Sequence, residues 1–167
     1  MKLEIFFLAA ALTFPMFALA ADDHHKEAKA LAPVVNESYQ KSCGTCHFAY
    51  PPGLLPARSW LKIIDGPNVH PGGDFAMEAR TKAEVKSYLV KNSAENSHAK
   101  RSKKILASLG RETPVRISEI AYIKDKHRKI TPDVFARKTI GSRANCLACH
   151  KGAENGIYDD DDVVVPE

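Results

Sequence analysis

After its first twenty residues the chain has no long apolar run, no stretch of alternating apolar and polar residues, a single methionine (Met77) and a single tryptophan (Trp60). Each scarcity removes a class of protein. A membrane-spanning helix needs about 20 consecutive apolar residues, so the mature chain is expected to carry no span. Half-buried strands need period-two alternation, so the fold is expected to be mostly α. The missing strand pattern also removes the βαβ setting in which a dithiol redox motif works. No cysteine stands outside two short motifs, so no other thiol chemistry is left over. A formal net charge of +4 on 167 residues does not argue for nucleic acid.

The apolar residues that do cluster lie at the start. Lys2, the run from Ile5 to Phe14 and Ala18-Leu19-Ala20 form the n-region, h-region and cleavage site of a signal peptide over residues 1–20. Cleavage after Ala20 and export to the periplasm are expected. Residues 21–36 are charged, contain His24 and His25, and are expected to be a mobile N-terminal segment. The remainder, 37–167, is long enough for one modest domain.

All four cysteines fall in Cys43-Gly44-Thr45-Cys46-His47 and Cys146-Leu147-Ala148-Cys149-His150. Cys-x-x-Cys-His is the attachment signature of a c-type haem. Two thiols three residues apart lie on one side of a helical turn and reach the two vinyl groups of one porphyrin. The following imidazole is then presented to the iron. A four-cysteine zinc site matches by ligand count but leaves both histidines unexplained. The expectation is two haem c groups, attached through Cys43 and Cys46 and through Cys146 and Cys149, with His47 and His150 as proximal ligands. Two haems add roughly four propionate charges and bring the total near neutrality. They are expected to take the centre of a small fold of short helices and long loops and to replace part of its side-chain core.

Between the motifs the pattern is helical. Residues 36–41 lead into the first motif, and Pro51-Pro52-Gly53 and Pro56 break any helix over 48–58. Leu54 and Leu55 are placed against a porphyrin edge. Residues 59–65 resume helical spacing, with Trp60, Leu61 and Ile64 on one face. Thr81-Lys82-Ala83-Glu84 has the form of a capping box ahead of an apolar stripe at Val85, Tyr88 and Leu89. A helix over 102–109 stops at Gly110. Residues 114–130 form the clearest amphipathic helix, with Ile117, Ile120, Ile123 and Ile130 on the face that His127 shares. Thr131-Pro132 opens a further short helix, and Gly141-Ser142 the turn into the second motif. The basic residues 100–104 are expected on a solvated helix face and the acidic run 159–162 in a solvated tail.

The sixth position on each iron is a harder inference. With Met77 alone, at most one iron can be His/Met ligated. His70, His98 and His127 remain once the terminal histidines are set aside. His127, on an apolar helix face, is favoured over the bland alternative of a satisfied core histidine; His70, in a Gly/Pro loop, is next; His98 stands in a polar loop and is expected to be exposed. A bis-histidine iron lacks the potential-raising methionine and has a low potential.

The run 43–50 together with Pro52-Gly53-Leu54-Leu55-Pro56-Ala57-Arg58-Ser59-Trp60, His70, Lys126-His127-Arg128 and the segment 145–154 resembles the periplasmic dihaem cytochromes c, DHC. The likeness runs over residues 38–166, and the Pro-Gly-Leu-Leu-Pro-Ala-Arg-Ser-Trp run is far more specific than the haem motif. The resemblance implies bis-histidine ligation at both irons, with His70 and His127 as the distal ligands; it leaves open which serves which haem, and His70 with the first and His127 with the second is the assignment taken here. It implies an electron carrier fed by a membrane b-type cytochrome and donating to a small monohaem cytochrome c that binds oxygen. The alternative is a redox enzyme or gas sensor with one open, five-coordinate haem. Dihaem peroxidases, the obvious comparison, are roughly twice as long, and the chain offers no clear distal acid–base group. A purely structural or metal-binding protein fits two intact haem motifs poorly.

Overall fold

The computed structural model describes residues 30–70, 73 and 76–167. The expected signal peptide, His24 and His25 lie outside the described residues. Among these there are six α-helices and no strand, as the patterning predicts: α1 Glu37–Cys43, α2 Ala57–Asp65, α3 Ala79–Lys91, α4 Lys100–Leu109, α5 Ala121–Lys126 and α6 Pro132–Phe135. Single 3-10 turns and loops join them. No described helix is long and apolar enough to cross a membrane.

The packing centre is Tyr39 on α1. Asn36 caps the helix by accepting from the Tyr39 amide at 2.7 Å, which fixes the helix start and points the phenol ring inward. That ring meets Trp60 of α2 edge-on at 6.4 Å and Tyr88 of α3 at 5.8 Å. Val85 and Leu89 of α3 and Ile105 of α4 are fully buried around it. Trp60 donates its indole N–H to the Pro52 carbonyl at 2.8 Å, and Ser102 of α4 donates to the Gly53 carbonyl at 2.8 Å. These two bonds satisfy the backbone of a 3-10 turn, Pro52–Leu54, that is itself buried. Gly53 is required there, because a Cβ would stand 2.9 Å from Leu31 and 3.0 Å from Ser102. The specificity of the Pro-Gly-Leu-Leu-Pro run is therefore one of packing. Leu54 and Leu55 are 2% and 1% exposed within the polypeptide core, and protein side chains rather than a porphyrin edge cover them.

Other expectations change in detail. The polypeptide has a side-chain core of its own beside the motifs. Leu61 is 36% exposed, and Ile63 is buried beside Trp60 and Ile64 instead. Helix α3 begins at Ala79, so Thr81 and Glu84 lie inside it and form no capping box. The long helix expected over 114–130 is divided into a 3-10 turn, Ile117–Glu119, and the short α5. Ile120 separates them with ψ 132, an extended conformation, and is the one isoleucine of that set that is fully buried. Three-residue spacing fits a 3-10 turn as well as an α-helix. Helix α4 ends at Gly110, whose φ of +51° suits glycine.

The first described residues and the C-terminal segment fold back onto this body. Expected to be mobile, the segment 21–36 is held from Leu31 onward: Leu31 is 2% exposed, its amide donates to the Gly156 carbonyl at 3.0 Å, and the Val35 amide donates to the Tyr88 hydroxyl at 3.3 Å. Gly156 has φ +73°, and a Cβ there would stand 2.0 Å from the Leu31 carbonyl oxygen. The acidic run is a 3-10 turn, Asp160–Asp162, rather than a free tail, with Asp160 paired to Lys126 at 2.6 Å. Beyond it Val163 bridges His150, and Arg137 donates to the Pro166 carbonyl at 2.7 Å.

The burial pattern predicts a sharp contrast between two leucines. Leu89→Ala should destabilise the protein by about 2–5 kcal/mol through a cavity at the α1–α2–α3 junction, whereas Leu61→Ala should change stability by about 1 kcal/mol or less. Denaturant titrations of the two variants check this.

Candidate haem sites

Each Cys-x-x-Cys-His motif sits where a helix or turn ends. Cys43 is the last residue of α1 and Gly44 caps it, the Gly44 amide donating to the Gln40 carbonyl at 2.8 Å. Cys46 and His47 follow in the turn beyond. In the second motif Cys146–Ala148 is a 3-10 turn and the His150 amide returns to the Cys146 carbonyl at 2.8 Å. Gly141, with φ +79°, and Asn145, donating to the Ile140 carbonyl at 2.9 Å, steer the chain into it. A small apolar cluster of Ile140, Ala148 and Cys149, with Val134, Phe135 and Val163 packed against it, supports this motif.

His70 stands 6.0 Å from His47, ring centre to ring centre, with the planes 20° apart. His127 stands 6.0 Å from His150, with the planes 77° apart. Two metal–nitrogen bonds of about 2.0 Å, plus roughly 1 Å from each nitrogen to its ring centre, add up to about this spacing. Each pair joins the histidine of one motif to a histidine from a different segment. His70 thus lies beside the histidine of the first motif and His127 beside that of the second. His98 is exposed, and Met77 packs against the main core.

Hydrogen bonds prepare two of these rings to bind metal. His47 Nδ1 lies 2.8 Å from the Phe48 carbonyl and His127 Nδ1 lies 2.8 Å from the Ile123 carbonyl. A carbonyl only accepts, so each Nδ1 carries the proton and donates, and each Nε2 keeps its lone pair. His127 caps the C-terminus of α5, whose first residue follows the extended Ile120; the broken helix is what sets its ring there. His70 is delivered by a turn at Gly66, where the amide donates to the Lys62 carbonyl at 2.9 Å, and at Asn68, whose φ of +53° is one that asparagine tolerates. Burial, then the neighbouring His47, holds His70 below the usual imidazole range, against a hydrogen bond to the Gly73 backbone. Burial does the same to His150, aided by His127 and Arg101 and opposed by Asp160. Neutral imidazole is the form that ligates.

Burial pushes the Cys43 and Cys146 thiols up to about 11. No group of three or more metal-ligating side chains occurs among the described residues. A cleft of about 350 Å³ opens between Cys46, His47 and Phe48 on one side and Ile140, Asn145 and Leu147 on the other. It lies between the two motifs. The donor sets and their spacing fit two haems.

Several residues that sequence reasoning passed over complete the sites. Tyr50 stacks on His47 at 4.7 Å, meets Phe48 edge-on at 4.7 Å and donates to the Ala144 carbonyl at 2.7 Å, which ties the two motifs together. Tyr158 lies 5.4 Å from His150, and Arg101 stands over Tyr158 at 5.3 Å. Phe135 lies 6.3 Å from His127. Only Tyr50 carried any signal, as part of the aromatic run just past the first motif.

A strand-free helical body presenting two haem-attachment motifs, each facing a second imidazole, defines a dihaem c-type cytochrome. The chain belongs to the dihaem cytochrome c family, whose model matches residues 39–158. It is similar to the diheme cytochrome c from Rhodobacter sphaeroides at 40% identity, over 77% of this chain and 100% of that one, with a TM-score of 0.65. It is also similar to the diheme cytochrome type c from Shewanella baltica OS155 at 32% identity, over 78% of this chain and 93% of that one, with a TM-score of 0.63. No curated protein matches the chain. The protein is thus a haem-binding electron-transfer protein carrying two haem c groups.

If each motif attaches its own haem, replacing both Cys146 and Cys149 by alanine should lower the covalent haem from two groups per chain to one. The pyridine haemochrome of the denatured variant, against protein concentration, measures the ratio.

Proposed function

We propose that the chain is a periplasmic electron carrier whose two irons are both six-coordinate with two histidines: His47 and His70 on the first haem, His150 and His127 on the second. One observation carries this reading. Both motif histidines face a second imidazole at 6.0 Å, the spacing one intervening metal needs. The iron supplies one-electron redox chemistry; the protein's part is to hold each ring oriented and close. With an imidazole on each side, neither iron is left a position for oxygen, peroxide or carbon monoxide. Two nitrogen ligands without a thioether give low potentials at both haems. The likeness to the DHC family supports a membrane b-type cytochrome as donor and a small monohaem cytochrome c as acceptor, and the signal-like residues 1–20 support export to the periplasm.

The two ring angles make the reading testable in one spectrum. Near-parallel imidazoles (20°) and near-perpendicular ones (77°) split the iron d orbitals differently. The oxidised protein should therefore show two low-spin EPR signals, one rhombic and one strongly anisotropic, and the reduced protein should not respond to carbon monoxide. A high-spin signal that binds carbon monoxide in the parent protein would overturn the bis-histidine reading. His127→Ala should create such a signal on one haem and leave the other unchanged, whereas His98→Ala should change neither.

A further inference from the structure

Beside the second motif the fold leaves two buried hydrogen-bond donors with no acceptor. Arg101, in the first turn of α4, donates through one terminal nitrogen to the Tyr158 carbonyl, and its guanidinium stands 5.3 Å over the Tyr158 ring. Its Nε is buried and has no hydrogen-bond partner among the described residues. The Tyr158 hydroxyl is in the same position, on a residue only 8% exposed. The ring that carries it lies 5.4 Å from His150. Buried donors are paired in nearly all folded proteins, and a guanidinium cannot escape the demand by losing its proton.

Two donors, one of them permanently cationic, call for an acceptor-only anion with more than one oxygen. Asp160 lies close enough to feel both Arg101 and His150, but it is hydrogen-bonded to Lys126 at 2.6 Å. Other titratable or charged groups around this corner include His127, His150, Lys126, Cys146, Tyr50 and Tyr39. A porphyrin attached at Cys146 and Cys149 and ligated by His150 carries two carboxylates on its edge.

We propose that Arg101 and Tyr158 bind a propionate carboxylate of the second haem, Arg101 through Nε–H and Tyr158 through its hydroxyl. This rests on the reading of His150 as the axial ligand of that haem. The pair then holds the porphyrin in its plane and keeps the carboxylate ionised, so the potential of that haem is insulated from pH. The first motif has no matching pair of orphaned donors among the described residues, so the two haems differ in how proton uptake couples to reduction.

The test uses the full holoprotein with Arg101→Gln, Arg101→Lys and Tyr158→Phe. Both midpoint potentials are followed from pH 5 to 9, and the propionate bending band is recorded by resonance Raman. Spectra of the parent first establish two low-spin haems; their failure would sink the axial assignment, independently of the propionate site. Removing the cation should raise the proton affinity of the carboxylate by about tenfold or more. Arg101→Gln should therefore give one haem, and not the other, a new proton-linked step. Arg101→Lys should largely suppress that step, and Tyr158→Phe should shift the bending band of the same haem. Should Arg101→Gln fail to retain its second haem, the lysine and phenylalanine variants carry the test. Profiles and bands that superimpose on the parent in all variants that fold, or that change equally at both haems, would overturn the proposal, as would occupation of the site by a buffer anion alone.

Discussion

The two imidazole pairs, each 6.0 Å from ring centre to ring centre, are the contacts that tie the haem motifs to the rest of the fold. The members of each pair come from separate segments, with the motif histidine first in one pair and second in the other. Local geometry alone cannot hold such a spacing. Tyr39 anchors α1 in the core and donates to the Tyr50 carbonyl at 2.9 Å, while Tyr50 packs on His47 and reaches across to Ala144. One chain of contacts thus runs from the packing centre through the first motif to the entrance of the second. A shift in the core is transmitted to both sites rather than absorbed by a loop.

The chemistry of the pairs depends equally on which nitrogen holds the proton. At His47 and His127 a backbone carbonyl decides this by accepting from Nδ1, and at His70 and His150 burial disfavours the charged ring. The directed hydrogen bond leaves Nε2 as the nitrogen that can bind a metal, and the low-polarity setting favours the neutral ring.

Much of this was legible in the residues. The four thiols and two proximal histidines follow from five-residue motifs whose chemistry fixes their spacing, and His70 and His127, which the fold brings beside them, could be singled out because few other histidines remain. The failures have a common source. Ile117, Ile120, Ile123 and Ile130 recur at a spacing that an α-helix and a 3-10 turn both satisfy, and only tertiary packing of Ile120 decides between them. Thr81 and Glu84 match a cap by type, but the helix begins two residues earlier, at Ala79, and is held by Val85 and Leu89 further along it. Leu54 and Leu55 read as cofactor contacts because the sequence does not reveal that Trp60 and Ser102 would fold the 52–54 turn into the core. Arg101 and Tyr158 are far apart in sequence and belong to no motif, so their meeting beside His150 could come only from the fold.

The contact between Leu31 and Gly156 has a consequence for how the chain is made. A ribosome adds about 5–20 residues per second, so Leu31 waits on the order of ten seconds for the segment that covers it. Until then the groove beside Gly53 that receives its side chain stays open, and the core around Tyr39 lacks one wall. Among the described residues, some of the first to be synthesised are thus among the last to be fixed. Closure of the fold reports that the chain through Gly156, second motif included, has arrived.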